Sequence, residues 1–267
     1  MQQTKREGEK KPFLYSIRDA ISHFHHVTYA KKAIDDDRPE DALARYEKAL
    51  RARPDSFDAL MGAATACMFT GLAKAKSSTD PSATDFPEES RALFLRAKAY
   101  AEKACGAKRD NLPAVGLLGT ICIALNEHQT VIGYNEAALA RIGPGNMRDP
   151  LFVRLNVQNA VAAAGLKDPR QAEEYAGKAV RRCFEAVEKI GEKPSGDGVL
   201  ACFALAGELC HLPPGSVSEK GRLYLSFVLK TAPLARDTAT RAILRGEDPA
   251  PVFAIAVNGF RAALEAL

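Results

Sequence analysis

The histidines at positions 23, 25 and 26 form a cluster of imidazoles able to ligate a metal or carry a proton in this chain of 267 residues. On a helix His23 and His26 share a face. A metal centre needs further ligands, and no paired cysteine or carboxylate completes a convincing set around them. The cysteines, Cys67, Cys105, Cys122, Cys183, Cys202 and Cys210, include no C-x2-C pair, so neither a metal knuckle nor a disulfide framework is expected. Cys210 and His211 are neighbours, and adjacent helix residues point apart. Gly143-Pro144-Gly145 and Gly196-Asp197-Gly198 lack the strand and lysine that make a phosphate cradle. The chain has no G-x-S-x-G elbow and no H-E-x-x-H helix, the usual marks of hydrolytic machinery. We expect no catalytic residue, metal or cofactor, which leaves binding.

The elements that would position a binding surface read as helices. Hydrophobic content is 46%, aromatics are 7%, tryptophan is absent and alanine is abundant, a balance that favours helices approaching closely over large apolar packing blocks. The net charge of +4 arises from 37 basic and 33 acidic residues spread along the chain, without the single-sign block of a nucleic-acid or membrane footprint. Residues 1–12, with Lys5, Arg6, Lys10 and Lys11, read as a flexible basic tail. The following Phe13–Ile17 is interrupted by Arg18 and Asp19, so no export signal is expected. No apolar stretch approaches the roughly 20 residues that span a bilayer. These features predict a cytoplasmic protein with reduced thiols. A homo-oligomer is compatible with this composition.

One pattern recurs. His26-x2-Tyr29-Ala30-x2-Ala33 returns 34 residues later as Leu60-x2-Ala63-Ala64-x2-Cys67, with Ala42-x3-Tyr46-x2-Ala49-x4-Pro54 between them. Such a period marks stacked helical hairpins rather than elements wrapped round one centre. The turn between the first two helices is legible in Asp35–Glu40, with Asp37 or Arg38 near the cap and Pro39 in the first turn. Ala97-x3-Ala101-x2-Ala104, Val115-x2-Leu118-Gly119-x2-Cys122 and Ala172-x3-Ala176-x2-Ala179 repeat the offsets, as does Gly221-x3-Leu225-x2-Val228-x4-Pro233. Residues 76–87 read as a polar loop inserted into the second unit. At the end of the chain, helices are predicted at about 234–244 and 251–267. The second carries an apolar stripe, Phe253, Val257, Phe260 and Leu264, which either closes the stack or folds back as an internal competitor for a partner.

These motifs resemble the tetratricopeptide repeat family. The resemblance implies an all-α, right-handed solenoid of stacked antiparallel helix pairs over residues 13–267. Its repeats would lie at about 23–56, 57–110, 111–146, 150–191 and 197–233, followed by C-terminal capping helices at 234–267. It also implies a concave groove lined by the first helix of each pair. Through the matched spacings, the contact residues would be Phe24, Val27, Lys31 and Ile34; Met61, Thr65, Met68 and Phe69; Gly116, Thr120 and Ile123; and Phe152, Leu155 and Asn159. Val27, Met61 and Thr65 stand where family members that grip a C-terminal carboxylate carry charged or amide donors, so an apolar groove for a peptide or amphipathic helix is expected instead. The implied function is a scaffold or adaptor that binds a protein partner. Alternatives are a chaperone-like regulator of a secreted or assembling partner, and a sensor enclosing a small ligand between the repeats and the terminal helices.

Overall fold

The computed structural model describes residues 11–76, 86–108, 111–143, 145 and 149–267. Residues 1–10 of the expected tail and 77–85 of the expected insertion lie outside the described residues. Among the described residues every regular element is a helix, and no helix is long and apolar enough to cross a membrane. The chain divides into two compact units, Met1–Leu125 and Asn126–Leu267. This division falls inside the expected third pair.

The first unit holds α1 (Lys11–Asp35), α2 (Pro39–Ala52), α3 (Phe57–Lys76), α4 (Glu88–Ala107) and α5 (Leu112–Ala124). Each helix packs on the next, as expected for hairpins in a row. α1 is one continuous helix, so the expected boundary at His23 does not exist and Lys11 and Pro12 belong to its first turn rather than to a tail. The α1–α2 turn follows its sequence signals. Asp37 takes a left-handed φ of 55°, Arg38 is the N-cap and Pro39 opens α2. His23 of α1 braces the next corner, between α2 and α3. Its Nδ1 lies 3.3 Å from the Ala49 carbonyl, to which it must donate, and its Nε2 lies 3.1 Å from the Ser56 hydroxyl, from which it then accepts.

The repeating small residues are the packing positions. Ala30, Ala42, Ala49, Ala63, Ala64, Cys67, Ala97, Ala101 and Ala104 are fully buried. A methyl-sized side chain at each contact lets neighbouring backbones approach, and larger side chains fill the gaps between them. Phe94 of α4, also fully buried, is seated over Gly71 of α3, where a Cβ would come within 3.0 Å of its ring.

The second unit holds α6 (His128–Ile142), α7 (Asp149–Gly165), α8 (Pro169–Glu192), α9 (Gly196–Leu209), α10 (Glu219–Leu244) and α11 (Ala250–Glu265). α7 packs against α6, α8 and α9, while α11 packs against α8, α9 and α10. Of the expected terminal stripe, Val257, Phe260 and Leu264 are buried at these contacts and Phe253 is half-buried, so α11 is part of the core of this unit.

α10 departs from the sequence reading. Helices were expected to stop before Pro233 and restart after it, yet α10 runs through that residue. Proline removes one N–H and crowds the preceding turn, at a cost of about 3 kcal/mol in a helix interior. What outweighs it is burial on both sides. Gly221, Leu225 and Val228 before the proline and Ala239 and Ala242 after it are buried in one stripe at three- and four-residue spacing. Pro233 itself faces outward.

Candidate functional site

Four of the residues expected in a groove meet in the first unit. Lys31 and Ile34 from α1 and Met61 and Thr65 from α3 line a recess of about 390 Å³, together with Asp35, Asp58, Gly62 and Tyr46. Tyr46 comes from α2 and lies 3% exposed. Gly62 makes room for it, since a Cβ there would meet the ring at 2.1 Å. Burial raises the Tyr46 phenol above its ordinary pKa, and the nearby Asp35 and Asp58 carboxylates add to the effect. The recess therefore offers two carboxylates and one ammonium around an apolar centre. This is more polar than the sequence suggested.

The other expected contact residues scatter. Val27 is buried against its neighbours, Phe24 and Phe69 are exposed, and Met68 is half-buried. Thr120 is exposed on α5 and its hydroxyl donates to the Gly116 carbonyl at 3.1 Å, while Ile123 is half-buried. Phe152 is half-buried beneath the Arg182 guanidinium, 5.5 Å from its ring centre. Leu155 and Asn159 are wholly buried. The reason is that α7 is enclosed by α6, α8 and α9, so the face expected to be open is core.

That core holds a polar cluster absent from the sequence reading. Asn135 Nδ2 of α6 lies 3.2 Å from the Leu155 carbonyl, 3.2 Å from Gln158 Oε1 and 2.9 Å from Asn159 Oδ1. Asn135, Gln158 and Asn159 are all buried. Tyr175 of α8 donates to Glu136 beside them. The three amides are closed off from a ligand outside, and they leave Asn135 Oδ1 and Asn159 Nδ2 without a partner among the described residues.

An apolar opening lies elsewhere in the second unit, between α10 and α11 with Phe203 of α9 at its wall. It has a volume of about 510 Å³ and is lined by Tyr224, Phe227, Val228, Thr231, Leu234, Ala235 and Thr238 on α10 and by Val252, Ile255, Ala256, Gly259 and Ala262 on α11. Its rim is apolar and wet, with Phe227 and Leu234 each 66% exposed and Ile255 73% exposed. Two contacts set the angle of the walls. Ser218 N–H donates to the Leu267 carbonyl at 3.0 Å, and Gly221 lies so close to the end of the chain that a Cβ would fall 2.6 Å from the Leu267 backbone. Sequence reasoning missed this site because it split α10 at Pro233. The signal was present as Tyr224, Phe227, Thr231, Leu234 and Thr238, alternating steps of three and four on one face.

No three His, Cys, Asp or Glu side chains gather as a metal site among the described residues. The thiols of Cys67 and Cys202 are pushed up to about 11, chiefly by burial, which suppresses the reactive thiolate.

No family model matches the chain, and no curated protein does. Among solved structures, a chain from a functional characterization of Pseudomonas aeruginosa PilF is similar at 14% identity and a TM-score of 0.45, over 91% of this chain and 98% of that one. YrrB, described as a TPR protein with an unusual peptide-binding site, is similar at 16% identity and a TM-score of 0.40, over 77% of this chain and 94% of that one.

Proposed function

We propose that this chain is a protein-interaction module that holds an apolar segment of a partner, with the α10–α11 groove as its main contact surface. The observation that carries this reading is the exposure of Phe227, Leu234 and Ile255 around one concave opening. Single exposed apolar residues are ordinary, but a contiguous patch bordering a groove marks a surface that works by being covered. The exposure of these side chains favours a protein segment over the small-ligand alternative. A bound small molecule would leave these side chains in water, whereas a peptide lying along the groove would cover them. The α1–α3 recess, with Lys31, Asp35 and Asp58 in its lining, suits a more polar stretch of chain.

A photo-crosslinking residue in place of Phe227, introduced in the native cell, tests the reading. Formation of a discrete protein adduct at this position, and none with the same residue at exposed Arg181 on α8, is the expected result. Equal adducts at both positions, or a small molecule retained at the groove in native mass spectrometry with no protein adduct, would overturn it.

A further inference from the structure

We infer that the occupant of the α10–α11 groove is an amphipathic helix of a partner protein whose apolar face is bracketed by carboxylates, one reaching Lys220 and the other Arg241. This rests on the preceding reading of the groove as a protein-binding surface and adds the chemistry of what binds.

Three features converge. The exposed stripe of α10 runs Lys220, Tyr224, Phe227, Thr231, Leu234, Thr238, Arg241, in alternating steps of four and three. That is the 3.5-residue spacing that keeps a seam facing a neighbouring helix along its length. Beside it lies the buried stripe through Leu225, Val228, Ala239 and Ala242, so one side of α10 is already occupied and the next is open. α11 presents a matching row, Val252, Ile255, Gly259 and Ala262, along the opposite wall. A helix lying between two such rows rests on both, and the small Ala235, Ala256 and Gly259 allow its backbone a close approach.

Charge then selects among helices. The groove interior carries no ionised group, but the α10 stripe ends on Lys220 at one end and Arg241 at the other. Both are exposed. Neither pairs with a carboxylate among the described residues, and Lys220 instead lies over the Tyr224 ring at 5.7 Å. Lys230 and Arg236 add to the positive field of α10, opposed by Glu219 and Asp237. At 1.5 Å per residue the apolar part from Tyr224 to Thr238 is about 21 Å long. This corresponds to about four turns of partner helix, with acidic residues just beyond each end. A bilayer surface would also attract basic and apolar groups, and vesicles are the probe that separates it from a protein helix.

The test uses the full chain and a fluorescent 20-residue helical peptide with a leucine and alanine face and glutamates at both ends. The probes beside it are the same peptide with lysines at the ends, and vesicles containing phosphatidylglycerol. The glutamate peptide should bind, and Leu234→Glu should weaken it about 30-fold, as loss of a central anchor does. Lys220→Glu combined with Arg241→Glu should weaken it about tenfold at low salt and shift preference to the lysine peptide. Both positions are exposed, so an unchanged melting curve for the double variant separates binding from folding. If Leu234→Glu abolishes binding while the double variant treats both peptides alike, the groove reading stands and the carboxylate inference falls. If neither peptide binds and the vesicles do, with loss on Leu234→Glu, both fall.

Discussion

The α1–α3 recess and the α10–α11 groove are built with the same packing rule and finished differently. In the first unit the helices follow one another in a row, and the side chains left between α1 and α3 are Lys31, Asp35, Asp58 and Thr65 around the edge of Ile34 and Met61. In the second, α11 turns back onto α8, α9 and α10 and uses one face for this contact. Its other face and the neighbouring face of α10 remain apolar and in water. Small residues at fixed offsets decide which helices can approach. The residues one position away decide whether the opening between them recognises charge or apolar surface.

The sharpest way to break this contrast is to truncate one large ring in each unit. Phe94→Ala removes a fully buried side chain and should cost about 3–5 kcal/mol in urea unfolding. Phe227→Ala, at a mostly exposed position, should change stability by less than about 0.5 kcal/mol while weakening peptide binding. A large loss of stability at Phe227 would mean that the groove is core. Next in size is glycine replacement. Gly221→Ala drives a methyl into the backbone of Ala266 and Leu267, and Gly62→Ala drives one into the Tyr46 ring; each should cost about 1–3 kcal/mol by thermal unfolding. Only the first should alter binding in the α10–α11 groove. Asn135→Ala should cost about 1–3 kcal/mol, because Gln158 and Asn159 lose their buried partner.

The smallest expected effect is a pH response in the first unit. His26 is held below its usual value of 6.5, first by desolvation and then by His25 and nearby cations. The unfolded chain therefore binds this proton more readily than the folded one, so its contribution to stability is present above pH 6.5 and declines as pH falls below it. His26→Gln should flatten that part of a stability-against-pH curve measured by urea unfolding. A slope unchanged by the substitution would place the response elsewhere.

Packing was the most legible layer of the sequence. Ala42, Tyr46 and Ala49, Ala97, Ala101 and Ala104, and Ala172, Ala176 and Ala179 were read from spacing alone and are all buried. Helix–helix contacts are local in such chains, so local periodicity carries them. The candidate sites were half legible. Lys31, Ile34, Met61 and Thr65 do share a recess, but the same register puts Leu155 and Asn159 on an open face, whereas both meet Asn135 of α6 in the core. Which helices close over a face depends on contacts between residues far apart in sequence, and no periodicity reports those. Pro233 misled for a related reason, since a local breaking signal was outweighed by burial along α11 that the sequence does not display.

The amide cluster of α6 and α7 carries a consequence for how that pair can dock. Alanine and valine stripes would mate almost as well after sliding by a turn, since one methyl resembles another. Asn135 resists this, because one turn toward the C-terminal end of α7 replaces the Gln158 and Asn159 side-chain oxygens with the methyl groups of Ala162 and Ala163. Each stranded amide would then cost about 1–3 kcal/mol, so a few polar atoms lock the longitudinal alignment that the greasy majority leaves free.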